Sequence, residues 1–435
     1  MTNALRLGIA GLGTVGTGVL DILETHEAML TTRAGMPVKV TCVSARSKGK
    51  TRGKHDLSRL DWFDDPVALA KSKGIDVFIE LIGGDTGPAR DAVEAAIASG
   101  KHVITANKAL LAHHGAALAK AAEAKGVALY FEAAVAGGIP VIKTLREGLA
   151  GNSVRKLFGI MNGTCNYILT KMANESRGFA NVLKEAQELG YAEADPTFDV
   201  GGFDTAHKLA VLTSLAFGTE VNLANIRIEG IEAITLSDIR NAAELGYKIK
   251  LLGVAVSHEG GIEQRVHPTL IPRGSPVSET DDVFNAVVLK GDFVGDLVLE
   301  GRGAGAHPTA SAVLSDIVDI ARKNIRPSFG IPAKSLKKYK AASPMAHEGG
   351  FYVALDLLDK PGAVASIATI LADAKISIES IVQRGKVDHD AKRATAQFIL
   401  ITHDTLEPSI QKAVARIQKD GHVAGTPRVI RIERF

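Results

Sequence analysis

The sequence predicts an α/β protein with three parts: a Rossmann-like doubly wound parallel sheet, a middle α+β region, and a ferredoxin-like domain. Three observations support this. A strand, a glycine-rich turn and a helix open the chain, strands and helices alternate up to about residue 131, and residues 351–435 show a βαββαβ order. With 435 residues, 46% of them hydrophobic and 23% charged, the chain is globular and long enough for several domains.

The overall charge and composition argue against nucleic-acid and membrane partners. The 51 basic and 48 acidic residues give a net charge of +3, and no long basic block occurs. No apolar run approaches the roughly 20 residues that span a bilayer. Two cysteines, Cys42 and Cys165, are too few for a disulfide framework, so we expect a cytoplasmic protein.

The first turn has the pattern of a dinucleotide site. A strand from Leu5 to Ala10 leads into it, and a helix with Val19 and Leu20 on its apolar face follows. The glycines allow a tight turn, close approach to a pyrophosphate and close helix packing, and the helix N-terminus attracts the anion. A glycine-rich turn without a ligand is the alternative. The predicted cofactor-binding residues of this turn are Gly11, Leu12, Gly13, Thr14, Val15 and Gly16.

The end of the second strand, 38–45, favours NADP. An NAD site usually has an acidic residue there to hold the ribose hydroxyls, but the chain continues with Arg46, Lys48 and Lys50. These cations suit a 2′-phosphate, with Arg46 the predicted contact, although NAD stays possible. The alternative is a solvated loop whose charges contact nothing.

Further alternation extends the parallel sheet and places residues at its ligand-binding edge. We expect Gly83 and Lys108 to line the cofactor crevice, because each follows a strand end. A lysine at a helix start is electrostatically unfavourable, which suggests function, but a solvated lysine is the alternative. The predicted elements are strand 76–82, helix 89–98, strand 102–105, a helix from Asn107 to Lys125, and strand 127–131.

The segment from Gly190 to Lys208 concentrates charged residues at a loop–helix boundary. Asp204 and Lys208 lie four residues apart on a helix predicted over 203–217, so they share one face. The alternative is a surface ion pair. Earlier, the small residues of 132–140 form a turn whose main-chain oxygens could bind a monovalent cation. Thr164 is a plausible N-cap for the next helix.

Five motifs together resemble homoserine dehydrogenases over about residues 5–325. They are the first glycine turn, Thr-Ala-Asn-Lys-Ala-Leu at 105–110, Glu-Ala-Ala-Val-Ala-Gly-Gly-Ile-Pro at 132–140, Asn-Gly-Thr-Cys-Asn-Tyr-Ile-Leu at 162–169, and the Gly190–Lys208 segment. The last motif is highly specific, whereas the first is generic. The resemblance implies reversible reduction of L-aspartate 4-semialdehyde to L-homoserine by a nicotinamide cofactor, on the route to threonine, methionine and isoleucine.

The same resemblance implies roles for individual residues. Glu193 would grip the substrate amino group and Asp199 would be a further substrate-side acid. Asp204 and Lys208 would be both catalytic and substrate-binding, and Lys108 would act beside the nicotinamide. Gly190 and Gly305 would touch the cofactor. The implied main-chain ligands of a Na⁺ or K⁺ ion are Glu132, Val135, Gly137 and Ile139.

The chemistry of carbonyl reduction suits these roles. Hydride arriving at an aldehyde creates an alkoxide, which Lys208 can stabilise and protonate while Asp204 orients it. His207 is a rival acid, but it points about 100° around the helix from Lys208, so we interpret it as structural. Cys165 would be a nucleophile only in a thioester mechanism, and a packed, inert thiol is the favoured interpretation.

The tail resembles an ACT domain, a module that often binds amino acids at subunit interfaces. A turn at 359–362 leads into a helix with Val364, Ile367 and Ile370 on one face, and the pattern reads as self-contained. We therefore expect feedback inhibition, with threonine as effector, that is lost on truncation near Gly349. A purely oligomerising module is the alternative. The resemblance also implies a homodimer or homotetramer.

The predicted domain boundaries are a dinucleotide domain over 1–135, completed by 303–330, a substrate domain over 136–302, a linker over 331–350, and the ACT domain over 351–435. Two alternative functions stay open at this point. One is a Rossmann oxidoreductase of another small oxo acid, and the other is a catalytically silent amino-acid sensor.

Overall fold

The computed structural model describes residues 4–342, 347–358, 360–385 and 395–434. Two sheets organise these residues, one of six strands and one of eleven. Within the described residues, no helix combines the length and the apolar character that crossing a bilayer requires.

The first sheet is parallel throughout, with the strand order β3-β2-β1-β4-β5-β6. This is the doubly wound order that the N-terminal alternation predicts. Its elements are β1 (Leu5–Ala10), α1 (Thr14–Thr25), α2 (Glu27–Ala34), β2 (Val38–Ser44), β3 (Asp61–Phe63), α3 (Pro66–Lys71), β4 (Val77–Glu80), α4 (Pro88–Ala98), β5 (His102–Thr105), α5 (Lys108–Lys125) and β6 (Leu129–Tyr130).

The middle of the chain adds a mixed layer of helices and long antiparallel strands. Its elements are α6 (Val141–Lys143), β7 (Val154–Ile160), α7 (Gly163–Glu175), α8 (Phe179–Glu188), α9 (Thr197–Val200), α10 (Phe203–Phe217), β8 (Arg227–Ile228), α11 (Leu236–Glu244), β9 (Tyr247–His258), β10 (Gly261–Pro272), α12 (Pro276–Glu279), β11 (Phe284–Gly291), β12 (Gly295–Arg302) and α13 (Ala306–Ala321). α13 returns to the first sheet, where Val313 and Ile317 share a core with Val19 and Leu20 of α1.

The C-terminal elements have the predicted βαββαβ order, and an ACT-type sheet results with the order β17-β13-β15-β14. Its apolar helix face, Ile367, Ile370 and Leu371, packs on the sheet in a core of its own. The elements are β13 (Glu348–Leu358), α14 (Ala363–Asp373), β14 (Ile378–Gly385), β15 (Thr395–Thr402), β16 (Thr405–Leu406), α15 (Glu407–Lys419) and β17 (Val423–Ile432). Asp359 of the predicted turn lies outside the described residues.

The expectation that the ACT module is self-contained is wrong. β17 pairs in parallel with β10 of the middle layer, so one eleven-stranded sheet runs through both. The predicted linker also lies against the middle layer, because Lys337 bridges to Thr219 and Ala341 bridges to Ile262. Long-range strand pairing leaves no local mark in the sequence, which is why the pattern looked separable.

Buried ion pairs seal this contact. We call Lys156, Glu229, Arg265, Glu407, Arg431 and Glu433 the junction cluster. Arg431 donates to Glu407 at 2.5 Å and lies 3.1 Å from a Glu229 oxygen. Glu433 accepts from Lys156 at 2.6 Å and also pairs with Arg265. The four side chains of Arg431, Glu407, Arg265 and Glu433 are each 5–7% exposed.

Several elements have other bounds in the structure than the sequence predicts. The strand predicted over 76–82 ends at Glu80, and the one over 127–131 shrinks to β6. The short helix α6 ends at Lys143 and continues as a π-helix from Thr144 to Gly148. The N-cap of α7 is Asn162, which accepts from the Cys165 amide at 2.8 Å, and Thr164 lies inside the helix.

Candidate active site

The first glycine turn is shaped by packing at two positions and open at the third. A side-chain Cβ at Gly11, whose φ is +102°, would lie 2.4 Å from the Leu81 carbonyl oxygen, and one at Gly16 would lie 2.2 Å from the Gly11 oxygen. At Gly13 a Cβ would meet nothing within 4 Å. α1 starts beside this open position with no acidic residue in its first turn, so its amide groups suit a pyrophosphate.

Glu80 holds the loop after β4, which lies between the first glycine turn and the start of α5. Its buried carboxylate accepts from the amides of Ile82 at 2.7 Å and Gly83 at 2.9 Å, and from the Thr105 hydroxyl at 2.5 Å. Asn107 caps α5 and donates to the Gly84 carbonyl at 2.6 Å. These bonds fix Gly83 beside the start of α5, where Lys108 lies.

Three charged residues on α5 and α10 lie close together. We call Lys108, Asp204 and Lys208 the lysine–aspartate cluster. One carboxylate oxygen of Asp204 lies 3.1 Å from the Lys108 ammonium, and the other accepts from Lys208 at 2.7 Å. Lys208 also donates to the Met161 carbonyl at 2.6 Å. α5 supplies Lys108 and the first turns of α10 supply the other two, so helix geometry alone aligns Asp204 with Lys208.

Asn162 completes this arrangement, and our sequence analysis missed it. Its amide nitrogen donates to Asp204 and to Asp199, both at 2.8 Å, while its oxygen caps α7. The Asn-Gly pair before an apolar helical run was the available signal, but it indicates a cap and says nothing of carboxylate partners.

The charges of the cluster set its protonation. Burial by itself would raise the pKa of Asp204, but Lys208 and Lys108 outweigh it and hold the pKa well below the usual range. Asp204 in turn raises the pKa of Lys108, with smaller contributions from Asp199 and Glu193. Burial and the Asp204 charge raise the pKa of Asp199. Asp204 is therefore a carboxylate at neutral pH and no proton donor.

His207 lies nearer the site than our structural interpretation of it implied. A cleft of about 370 Å³ has Gly83, Lys108, Phe198 and His207 in its wall. The His207 ring packs edge-on against Phe198 at 5.3 Å between ring centroids. Burial lowers the pKa of His207, and nearby His113 and Lys108 lower it further, so the ring is neutral at pH 7.

Cys165 and four other residues singled out in the sequence lie outside the lysine–aspartate cluster. The Cys165 thiol is fully buried and donates to the Asp199 carbonyl at 3.2 Å, and burial raises its pKa well above its usual range, which disfavours a thiolate nucleophile. Arg46 and Glu193 are exposed, and Gly190 follows α8 with a φ of 75°. In the described chain, no side-chain hydrogen bond or ion pair joins Arg46 or Glu193 to the cluster. Gly305 is the N-cap residue of α13.

The segment proposed for a cation is a buried turn. The Glu132 carboxylate accepts from the amides of Ile142 at 2.9 Å and Lys143 at 2.8 Å, and the Glu132 amide donates to Asp316 at 2.9 Å. Ala136 and Gly137 have positive φ values of 54° and 33°, and the Ile139 oxygen accepts from the Val141 amide at 2.7 Å. Among the described residues, no three acidic, histidine or cysteine side chains gather as metal ligands.

These features define a class of protein. A dinucleotide-type turn contacts the loop that lines a cleft, and Lys108 in the cleft wall pairs with the buried, ionised carboxylate of Asp204. This combination is typical of nicotinamide-dependent dehydrogenases, in which a developing negative charge on a small polar substrate must be stabilised.

Comparison with known proteins gives the family. The model described as "Homoserine dehydrogenase" matches residues 140–318, its NAD-binding domain matches 11–132, and an ACT domain matches 351–422. The homoserine dehydrogenase of Pseudomonas aeruginosa is 44% identical over 99% of both chains, and that of Neisseria gonorrhoeae is 42% identical over 99% of this chain and 98% of its own. The chain belongs to the homoserine dehydrogenase family.

A solved structure agrees with this placement. The crystal structure of a homoserine dehydrogenase from Thiobacillus denitrificans superposes with a TM-score of 0.92 at 44% identity, covering 99% of each chain. The similarity therefore extends over the ACT module. The chain is an oxidoreductase of this family with a nicotinamide-binding domain.

Proposed function

We propose that this chain reduces L-aspartate 4-semialdehyde reversibly to L-homoserine, with Lys208 as the proton donor, within the synthesis of threonine, methionine and isoleucine. The observation that carries the proposal is the lysine–aspartate cluster, in which Asp204 holds two ammonium groups, Lys108 at 3.1 Å and Lys208 at 2.7 Å. The cofactor, when bound, supplies or accepts the hydride.

Donor counting supports the role of Lys208. Its ammonium has three N–H bonds, and two of them go to Asp204 and the Met161 carbonyl. The third is left for a substrate oxygen. As negative charge develops on that oxygen, the ammonium stabilises it and then transfers the proton, while Asp204 keeps the lysine in place. In the reverse direction, neutral Lys208 removes the hydroxyl proton.

The neighbouring acids suit the amino-acid end of the substrate. Glu193 is exposed in the loop before α9 and its charge raises the pKa of Lys108, and Asp199 accepts from Asn162 at 2.8 Å. A substrate ammonium group would pair with Glu193 and Asp199, with Lys108 left to steady the carbonyl end. The polar character of these residues excludes an apolar substrate at this end.

For the cofactor we propose NADP over NAD, with binding at Gly11–Gly16, Gly83, Gly190 and Gly305 and at Lys108. The support is the open position at Gly13 and the exposed guanidinium of Arg46 after β2. We expect Arg46→Ala to raise the KM for NADPH about tenfold and leave the KM for NADH unchanged, because only NADPH has a 2′-phosphate. Lys71→Ala, on α3, is the control. An equal effect on both cofactors would contradict the assignment.

We also propose a monovalent cation, Na⁺ or K⁺, on the main-chain oxygens of Glu132, Val135, Gly137 and Ile139. Carbonyl oxygens are hard ligands, and the strongly bent backbone at Ala136 and Gly137 supports such a wrap. Activity measured in choline chloride, NaCl and KCl at equal ionic strength tests this. Equal rates in all three salts would refute the requirement.

Regulation and assembly complete the proposal. We propose feedback inhibition through the ACT module, with L-threonine as effector, and a cytoplasmic homodimer or homotetramer. The long sheet ends in the edge strand β12, beside which Phe293 is 86% exposed, and light scattering would give the mass. Truncation near Gly349 is an unsuitable test of inhibition, since it removes β17 from β10 and Glu433 from Arg265 and Lys156.

One steady-state assay tests the main proposal. NADPH consumption by the full chain is measured with L-aspartate 4-semialdehyde, and NADP reduction with L-homoserine. We expect turnover in both directions. Turnover with a different oxo acid alone would favour another oxidoreductase, and no turnover with binding of amino acids would favour a silent sensor.

A further inference from the structure

Two phenylalanine rings lie next to each other beside the active-site cleft. Phe198 of α9 and Phe203 of α10 stack with 6.5 Å between their ring centroids and 22° between their planes. Their exposed fractions are nearly equal, at 44% and 43%. Phe198 lies in the wall of the cleft, whereas Phe203 lies outside it. The pair therefore allows a comparison, within one aromatic patch, between a ring at the site and a ring next to it.

The Phe198 ring contacts Lys108, which belongs to the lysine–aspartate cluster. The Lys108 ammonium lies over this ring, 5.9 Å from its centroid, and His207 packs edge-on against the same ring at 5.3 Å. No lysine or arginine of the described chain lies over the Phe203 ring. Because α9 carries Phe198 and α5 carries Lys108, the contact connects the middle layer to the dinucleotide-binding part of the chain.

Lys108 is held less completely than Lys208. Lys208 donates to Asp204 at 2.7 Å and to the Met161 carbonyl at 2.6 Å, and its side chain is 11% exposed. The Lys108 ammonium lies 3.1 Å from Asp204, and its side chain is 32% exposed. No carbonyl group of the described residues accepts from this ammonium. The Phe198 ring is therefore the second favourable contact of the Lys108 ammonium, besides Asp204.

The face of an aromatic ring attracts a cation because its quadrupole places negative potential above the ring. The attraction is weak at an exposed site and grows when a ligand excludes water from the contact. Asp204 is buried, so its charge pulls the Lys108 ammonium into the protein, whereas the ring lies in the cleft wall. Together they hold the ammonium at the cleft while it stays paired with the carboxylate.

We propose that Phe198 is a positioning residue, whose ring face holds the Lys108 ammonium where it steadies the carbonyl end of the substrate. This inference rests on the proposed function, because Lys108 contacts that substrate only if the proposed reaction occurs. Asp199 follows Phe198 on the same short helix. α9 would thus serve both ends of the substrate, the amino group through Asp199 and the carbonyl end through Lys108.

Graded fluorination of the ring tests the proposal. Replacing Phe198 by mono-, di- and trifluorophenylalanine changes the size of the ring little and weakens the negative potential of its face step by step. We expect kcat/KM for L-aspartate 4-semialdehyde to fall with each fluorine. Phe198→Leu should lose about fivefold, and Phe198→Tyr, which keeps the ring, less than about twofold.

The same replacements at Phe203 are the matched control, because this ring has the same exposure and no cation over it. They should leave kcat/KM within about twofold of wild type. Equal losses at the two positions, or a kcat/KM that does not change with the number of fluorines at Phe198, would overturn the proposal.

NMR of the resting full chain, labelled with ¹³C at the lysine Cε, gives a measurement that needs no turnover. The Lys108 signal, assigned by its absence in Lys108→Met, should be displaced by the ring current of Phe198. Phe198→Leu should remove this displacement and Phe203→Leu should keep it. An unchanged Lys108 signal in Phe198→Leu would overturn the contact. The expected signals in a chain that does not reduce L-aspartate 4-semialdehyde would refute the proposed reaction and leave the contact standing.

Discussion

The lysine–aspartate cluster and the junction cluster are both groups of ion pairs, but they differ in their access to solvent. Both place ammonium or guanidinium groups against carboxylates, away from bulk water. At the centre of the junction cluster, Arg431 and Glu407 are each 5–7% exposed, whereas Glu229 at its rim is 37% exposed. In the lysine–aspartate cluster one side is open, and Lys108 is 32% exposed at the cleft. We propose that the cleft beside Lys108 makes the lysine–aspartate cluster catalytic, whereas the junction cluster, whose central pairs face protein, stabilises the fold.

The largest expected effect comes from replacing Lys208, the proposed proton donor of the lysine–aspartate cluster. Lys208→Met keeps the volume but lacks the ammonium, and we expect kcat/KM to fall about 10³-fold, with the fold retained. NADPH consumption with L-aspartate 4-semialdehyde measures it. Lys184→Met, whose side chain is 78% exposed on α8, is the control. Wild-type turnover by Lys208→Met would refute its catalytic role.

Substitutions in the junction cluster should instead lower the free energy of unfolding. Arg431→Met removes the buried cation that Glu407 and Glu229 share. Their second shared cation, Arg227, has a side chain that is 56% exposed. We expect a loss of about 3 kcal/mol in the free energy of unfolding. Urea denaturation at pH 7 measures it. Arg416→Met, which breaks an exposed pair with Asp373 at 2.9 Å, should cost about 1 kcal/mol or less. Equal losses in the two variants would contradict the buried role of the junction cluster.

A substitution at Asn162 tests how the lysine–aspartate cluster is held in place. Asn162→Ser can still cap α7, but the serine is too short to donate to both Asp199 and Asp204. We expect kcat to fall about tenfold at nearly unchanged stability, because Asp204 then holds Lys208 less firmly. Steady-state kinetics and a melting curve report the two quantities. A large drop in melting temperature with normal kcat would reverse the assignment to a structural role.

The smallest expected effect is on the pH dependence of the stability that the junction cluster contributes. Burial alone would raise the pKa of Glu433, yet Arg265 and Lys156 outweigh it and lower the pKa to about 2. A lowered carboxyl pKa stabilises the fold above the unfolded value near 4.5 and loses that contribution as pH falls toward 2. Between pH 5.5 and 3.5 we expect wild type to lose about 1 kcal/mol more than Glu433→Gln. Parallel curves would refute the shift.

Local patterns in the sequence were sufficient where the structure itself is local. α10 runs from Phe203 to Phe217 as its apolar period predicts, and the spacing of Asp204 and Lys208 gave their shared face. The partners that complete both clusters are distant in sequence. Asn162 lies 42 residues before Asp204, and Arg265 lies 168 residues before Glu433. No short-range period encodes such pairs, so the junction and the second contact of Asn162 could only be seen in three dimensions.

The parallel pairing of β17 with β10 has a consequence for synthesis. During translation, β10 leaves the ribosome well before its partner strand β17 exists, and the guanidinium of Arg265 has only Glu263 as its carboxylate partner until Glu433 is made 168 residues later. Until then one edge of the long sheet is open and Arg265 lacks one of its two carboxylates, which favours association with other strands. We therefore expect the nascent chain to depend on a chaperone in this interval. Completion of the ACT module is then the step that ends the exposure.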